Sequence, residues 1–316
     1  MTSLIEQAAQ RLEQLRQSGI GLPERASGET QALAPTGHSP IGRVSTTSPM
    51  PLDTGSRTSV PVSRQVLLDL TALAASGVVT PQSPRSVAAD QFRVIKRPLL
   101  TNAKRKGISA MAHGNLIMVT SALVGEGKSF TALNLAMSMA MERDNTVMLV
   151  DADVARPSVM RMLGLPPAPG LLELLEGKAE MQDVLLRTNV DKLTILPSGS
   201  PHPQATELLA SDAMRQLLDD MSRRYSDRII IFDSPPLLLT TESRVLASQM
   251  GQVVLVVQAD KTGQADVLHA HSMIKSCPNI NLVLNKVSGD GSGDYDRSFG
   301  YGYGYGQDAG AGDERS

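Results

Sequence analysis

The chain has 316 residues, room for one large domain or two small ones. Its net charge of −2 excludes a global field that would draw it onto nucleic acid or anionic lipid, and its single cysteine, Cys277, excludes an internal disulfide framework. No apolar run approaches the ~18–20 residues needed to cross a bilayer, so a cytoplasmic protein is expected, with any membrane role falling to a partner.

Residues 3–18 read as an amphipathic helix. Ser3 and Glu6 form a capping box, and Ile5, Ala8, Leu12 and Leu15 make a narrow apolar stripe suited to one partner helix. Glu6 and Glu13 interrupt the apolar pattern and no cleavage site follows, so this is not a signal peptide. The next stretch is a linker: Ser, Thr, Pro and Gly make up 22 of the 39 residues from Ala26 to Arg64. Such a composition buries too little apolar surface to offset the entropy of ordering. Apolar residues return from Gln65 to Val79. The expected organisation is a helix at 1–20, a disordered linker at 21–64, a folded domain at 65–287 and a flexible tail at 288–316.

Val87–Arg97 reads as a helix that Pro98 ends or kinks. Six Lys and Arg fall between Arg93 and Lys106, and without interleaved aromatics they read as a solvated face, not a nucleic-acid contact. From Leu116 onward strand-like and helix-like runs alternate. The strand-like runs are Leu116–Val119, Thr146–Val150, Leu193–Leu196, Ile229–Phe232, Val253–Val257 and Asn281–Leu284. Helices are expected over 128–142, 171–176, 212–224, 242–249 and 264–275. Continuous, β-branched strands belong to sheets covered on both faces. The fold class is therefore α/β, a mainly parallel sheet with helices on both faces.

Thr120–Ser129 (TSALVGEGKS) lies between the first strand and the helix after it. Strand, Gly-containing turn, Lys-Ser and helix, in that order, make a phosphate cradle. Backbone N–H groups of Val124, Gly125, Glu126, Gly127, Lys128, Ser129 and Phe130 are expected to line it, helped by the positive end of the helix. Lys128 would reach the β- and γ-phosphates, and the Ser129 hydroxyl would ligate Mg²⁺. Two further motifs end strands in carboxylates. VMLVDAD (147–153) carries Asp151 and Asp153, and IIIFDSPP (229–236) carries Asp233. Like charges beside a phosphate loop repel unless a cation lies between them. Asp233 just past a strand is the usual place for a second Mg²⁺ anchor. Asn285 after the last strand is a candidate amide partner for a purine, and equally a polar strand end. The five histidines form no recognisable metal pattern.

These residues resemble a family. ALVGEGKS (122–129), MLVDADVARP (148–157) and IIIFDSPP (229–236) are similar to the Walker A, A′ and B motifs of the bacterial tyrosine kinases that serve capsule and exopolysaccharide systems. DQFRVIKRPLL (90–100) resembles their E-x-x-R-x-x-R oligomerisation helix, with Asp90, Arg93 and Lys96 at its three positions. The terminal YGYGYG resembles their autophosphorylated tyrosine cluster, and four of the five tyrosines, Tyr295, Tyr301, Tyr303 and Tyr305, lie in the tail. The N-terminal helix, the linker and VIKRPLL look closest to the exosortase-associated tyrosine autokinases. The resemblance implies a P-loop NTPase-like fold using ATP and Mg²⁺. It also implies a homo-oligomer, of which a ring is one form, phosphorylating the tail tyrosines in trans. A membrane-embedded chain-length or activator protein and a phosphotyrosine phosphatase are implied partners, and nucleic acid is not. Within it Asp151 is the candidate base and Asp153 the water-mediated holder of Mg²⁺ with Ser129 and Asp233, roles the two aspartates could exchange. Rival readings are an ATPase switch of the MinD/ParA type, against which Leu123 stands at the signature-lysine position, and a non-catalytic nucleotide-gated scaffold of a polysaccharide membrane complex.

Overall fold

The computed structural model describes residues 64–287 apart from 83, 84, 106, 108–110 and 226. They belong to one unit, Thr58–Ser316, and only that unit is described. The expected N-terminal helix, all of the linker but Arg64, and the tail with its four tyrosines lie outside the described residues.

The six strand-like runs form six parallel strands of one sheet: β1 (Leu116–Ser121), β2 (Thr146–Asp151), β4 (Leu193–Leu196), β5 (Arg228–Asp233), β6 (Gln252–Gln258) and β7 (Ile280–Asn285). A seventh strand, the two-residue β3 (Leu186–Arg187), pairs antiparallel with β4 at one edge and was not legible as a run. The strand order is β3-β4-β2-β5-β1-β6-β7.

Side chains alternate across the pleat, so each strand feeds two cores. Leu116, Met118, Met148, Val150, Ile230, Phe232, Val253 and Leu255 face one side. They pack against α8 (Asp212–Arg224), α9 (Glu242–Ala247) and α10 (Gln264–Met273). Ile117, Val119, Val147, Leu149, Ile229, Ile231, Val254 and Val256 face the other. Over them lie α2 (Val87–Ala103) and α3 (Lys128–Ala140). Residues Thr131–Ala140 of α3 are all buried, because the helix is sandwiched between the sheet and α2. Short helices α1 (Leu70–Ala75), α4 (Val159–Met162), α5 (Leu171–Leu175), α6 (Met181–Val184) and α7 (Ala205–Leu209) complete the described elements. They are too short for a periodic signal, and none but α5 is expected from the sequence.

α2 corrects one expectation. It starts where expected, Ser86 accepting a bond from the Ala89 N–H at 3.1 Å, but runs through Pro98 to Ala103. Its last turns are held by tertiary contacts. Leu99 is fully buried, the Asn102 amide donates to Gln252 Oε1 at 3.1 Å, and Gln252 Nε2 donates to the Leu99 carbonyl at 3.0 Å. Those bonds offset what the proline removes.

Candidate nucleotide site

β1 delivers the chain to the loop 122–127 and α3 takes it away, so the loop sits at the carboxyl end of a central strand, where open α/β sheets bind ligands. The turn requires left-handed backbone at Gly125 (φ 85°) and Gly127 (φ 98°), which a side chain would strain. Gly127 is constrained twice over. A Cβ there would come within 2.1 Å of Asn285 Nδ2. α3 therefore opens on an N-cap without a side chain, leaving its first N–H groups and its positive end free for an anion.

Across from the loop stand the carboxylates. Asp151 and Asp233 end neighbouring strands in direct register. Both are fully buried, and Asp153 is nearly so. Lys128 reaches into this group, its Nζ 2.6 Å from Asp153 Oδ2 and 4.0 Å from Asp233 Oδ1. Asp153 Oδ1 accepts the Arg156 N–H at 3.2 Å. Asp151 Oδ2 accepts the N–H groups of Ser158 and Val159 at 3.1 and 3.0 Å. The Ser158 hydroxyl donates to Asp233 Oδ2 at 3.4 Å. Burial first, and then the charge of Asp233, push the Asp151 carboxyl up to about 7. Burial also raises Asp233, to about 6, with Lys128 offsetting part of the rise. The turn beyond Asp233 is pinned to β1: the Ser234 hydroxyl donates to the Val119 carbonyl and the Thr120 hydroxyl to the Pro235 carbonyl.

One oxygen on each paired carboxylate, Asp151 Oδ1 and Asp233 Oδ1, is buried and unpartnered. Orphaned buried carboxylate oxygens beside a serine hydroxyl are hard donors that suit a small divalent cation. Among the described residues no group of three or more His, Cys, Asp or Glu forms a cage of its own. That fits Mg²⁺, which takes few carboxylates and completes its shell with water and phosphate oxygens.

The sequence-derived residues largely converge here. Lys128, Ser129, Asp151, Asp153 and Asp233 share one crevice with the loop. Others take different roles. The Phe130 ring packs into the core on the α2 face, so only its backbone belongs to the loop. The Asn285 amide is engaged, donating to the Glu126 carbonyl at 2.8 Å, and Lys286 Nζ donates to the Gly125 carbonyl at 2.6 Å. The last strand thus braces the loop from behind, a function given away by no motif.

The three residues of the expected oligomerisation set do not share one environment. Asp90 and Arg93 are exposed on α2 and pair with each other. Lys96 is not presented to a neighbour: it is 5% exposed, donates to the Ser138 carbonyl at 2.7 Å and pairs with Glu142 at 2.7 Å. Its ammonium, the largest cause, holds the Glu142 carboxyl below its usual range. The lysine caps the C-terminal end of α3, where a cation is favoured. Sequence reasoning also missed Ser158 and Thr262.

Known proteins agree with this geometry. Residues 113–286 match the family model described as ParA: NUBPL iron-transfer P-loop NTPase. Tyrosine-protein kinase YwqD of Bacillus subtilis is 32% identical over 200 residues, 63% of this chain and 81% of the relative. Tyrosine-protein kinase CpsD of Streptococcus agalactiae is 33% identical over 192 residues, 59% of this chain and 82% of the relative. Among solved structures, the chimerical protein CapA2B2 superposes with a TM-score of 0.59 at 26% identity, covering 72% of this chain and 95% of its own. The kinase domain of the Escherichia coli tyrosine kinase ETK gives 0.58 at 26% identity, covering 72% and 86%. With a ParA-like model matching more than half of its residues and kinase relatives matched over four fifths of their own length, this chain belongs to the bacterial tyrosine-protein kinases, within the ParA-like P-loop NTPases.

Proposed function

We propose that the chain is an ATP-dependent protein-tyrosine autokinase whose acceptors are Tyr295, Tyr301, Tyr303 and Tyr305, supplied by another copy of the same chain. One observation carries this reading: a phosphate loop facing two buried carboxylates, each with one oxygen that carries no hydrogen bond, in a protein that concentrates four of its five tyrosines in one terminal segment. A Gly-Tyr segment folds into its own site with poor geometry but reaches a neighbour's easily.

The residues divide the work. N–H groups of 125–129 hold the β-phosphate, and Lys128 turns from Asp153 toward the β- and γ-phosphates. Ser129 and Asp233 would hold Mg²⁺ directly and Asp153 through water, and a cation held there would supply charge neutralisation for the transferring phosphoryl group. The bond from γ-phosphorus to the β,γ-bridging oxygen breaks, and one to the tyrosyl oxygen forms. ADP leaves, and the phenolic proton passes to Asp151. Asp151 stands in register with Asp233 at the end of β2, and its Oδ1 carries no hydrogen bond, so a lone pair is open to that proton. The domain is 65–287. Copies meet through the α2 surface carrying Asp90 and Arg93. Each phosphate adds about −1.5 to −2 charges, so modified tails repel and loosen the assembly until a phosphatase resets it. Among the described residues no helix is long and apolar enough to cross a membrane. Recruitment to a polysaccharide-synthesis complex would fall to a membrane-embedded activator.

The test mixes a full-length Lys128→Met chain with an active chain lacking residues 288–316, adds ATP and Mg²⁺, and maps phosphotyrosine by mass spectrometry. Label on residues 295–305 of the Lys128→Met chain is expected. Free phosphate without any tail label, including with an activator fragment present, would replace the kinase reading with that of an ATPase switch.

A further inference from the structure

Glu126 sits inside the phosphate loop, between the two left-handed glycines, yet its side chain turns away from the cradle. The residue is 2% exposed. Its Oε2 accepts the Leu123 N–H at 2.6 Å, across the base of the loop. Its Oε1 accepts the Thr262 hydroxyl and lies 3.5 Å from the Gln258 N–H. Thr262 and Gln258 close the turn after β6: the Thr262 N–H donates to the Gln258 carbonyl at 3.1 Å, and the Gln258 N–H to Thr262 Oγ1 at 3.2 Å. One carboxylate therefore ties the two ends of the loop to each other and ties both to a turn on the neighbouring strand. A buried carboxylate is costly unless fully bonded, so the contacts are made to hold something in place.

We infer that Glu126 and Thr262 form a latch that fixes the phosphate loop in its nucleotide-receiving shape, Glu126 acting as a positioning residue and Thr262 as its anchor on the β6 turn. A cradle works because its N–H groups already point at the phosphate before it arrives; a loop free to relax must be ordered at the moment of binding. The latch rests on the nucleotide-binding part of the proposed function and not on which tyrosine is the acceptor. Thr262 belongs to a different strand's turn and contacts the loop only through this carboxylate among the bonds described. Its effect on nucleotide must therefore pass through Glu126.

The experiment uses the full chain and a fluorescent ADP titrated with Mg²⁺, beside the melting temperature of nucleotide-free protein. Glu126→Ala weakens ADP about tenfold or more, the ratio expected for one lost charge-assisted hydrogen bond. Thr262→Val weakens it about three- to tenfold, and Thr262→Ser, which keeps the hydroxyl, restores it. Adding Thr262→Val to Glu126→Ala costs nothing further, because the pair acts as a unit. In tail phosphorylation the KM for ATP rises while kcat at saturating ATP changes far less. A merely structural role lowers the melting temperature and leaves ADP affinity alone in the folded protein; that result, or additive losses in the double variant, overturns the latch. Because ADP binding is read without any tyrosine acceptor, failure of the latch and failure of the autokinase reading remain separate.

Discussion

Asp151 and Asp233 stand side by side at the ends of β2 and β5, in register, both without solvent exposure, each with one oxygen unpartnered. Two carboxylates in this relation cannot both ionise without cost: burial and then the Asp233 charge carry Asp151 to about 7, while burial, opposed by Lys128, carries Asp233 to about 6. In nucleotide-free protein their raised values make folding depend on pH. The stabilising protonation is fully present below the unfolded value, near 4, and is lost as pH rises through about 7. The melting temperature of nucleotide-free protein should therefore fall between pH 5 and pH 8. Asp151→Asn should flatten that fall and raise the melting temperature at pH 8, and Mg²⁺ with ADP should do the same in the wild type. Thermal scans at several pH values decide it; an Asp151→Asn variant with the wild-type slope would contradict the assignment.

Lys128 is the only cation in contact with the aspartate group among the ion pairs described. Lys128→Met should lower tail phosphorylation by at least ~10²-fold, since the transferred group loses its charge clamp. Leaving Asp153 buried without its partner should also destabilise the nucleotide-free protein. Circular dichroism and phosphotyrosine quantitation on the same sample separate these effects. A Lys128→Met protein that is folded and fully active would remove the lysine from the mechanism.

Gly127→Ala should abolish nucleotide binding. The added methyl meets Asn285 Nδ2 at 2.1 Å on a backbone at φ 98°, so the loop must move to accept it. The double variant Gly127→Ala/Asn285→Ala relieves the clash and leaves the strain, so partial recovery of ADP affinity over the single variant is the expected reading. No recovery would place the whole defect in the backbone.

Lys96→Met should behave as a stability variant. Glu142 is half-exposed and rehydrates when the lysine goes, so the cost should be limited to about 1–2 kcal/mol. For a domain of this size each kcal/mol corresponds to roughly 2–4 °C of melting temperature. Light scattering should show the same oligomer as wild type, whereas Asp90→Lys or Arg93→Glu should alter it. An oligomer lost on Lys96→Met with unchanged melting temperature would return the lysine to the interface.

What the sequence disclosed follows from local chemistry. Strands covered on both faces read as unbroken apolar runs, so β1, β5 and β6 were visible, and each carboxylate stood out because it ended such a run. The burial of Lys96 was not legible, because the groups that hold it, the Ser138 carbonyl and Glu142, lie more than forty residues away and mark no pattern beside it. Pro98 was read as ending or kinking the helix, and the choice between the two was not legible because the bonds that carry α2 past it come from Gln252. Asn285 was read either as a partner for a base or as a polar strand end, and its bond to the loop backbone was not legible because Glu126 lies far away in sequence. In each case the local signal was correct in type and a distant partner decided its use.

The last residue of β7, Asn285, and the residue after it, Lys286, hand their side chains to the phosphate loop, and in sequence the tyrosines follow. Tension applied beyond Val287 would reach the Lys286–Gly125 bond first and then Asn285, whose side chain holds the Glu126 carbonyl and whose own carbonyl pairs with the Ala259 N–H. A neighbour that grips the terminal segment would thereby also tug on the donor's own loop, so lending a tail and keeping hold of ADP become mechanically opposed acts.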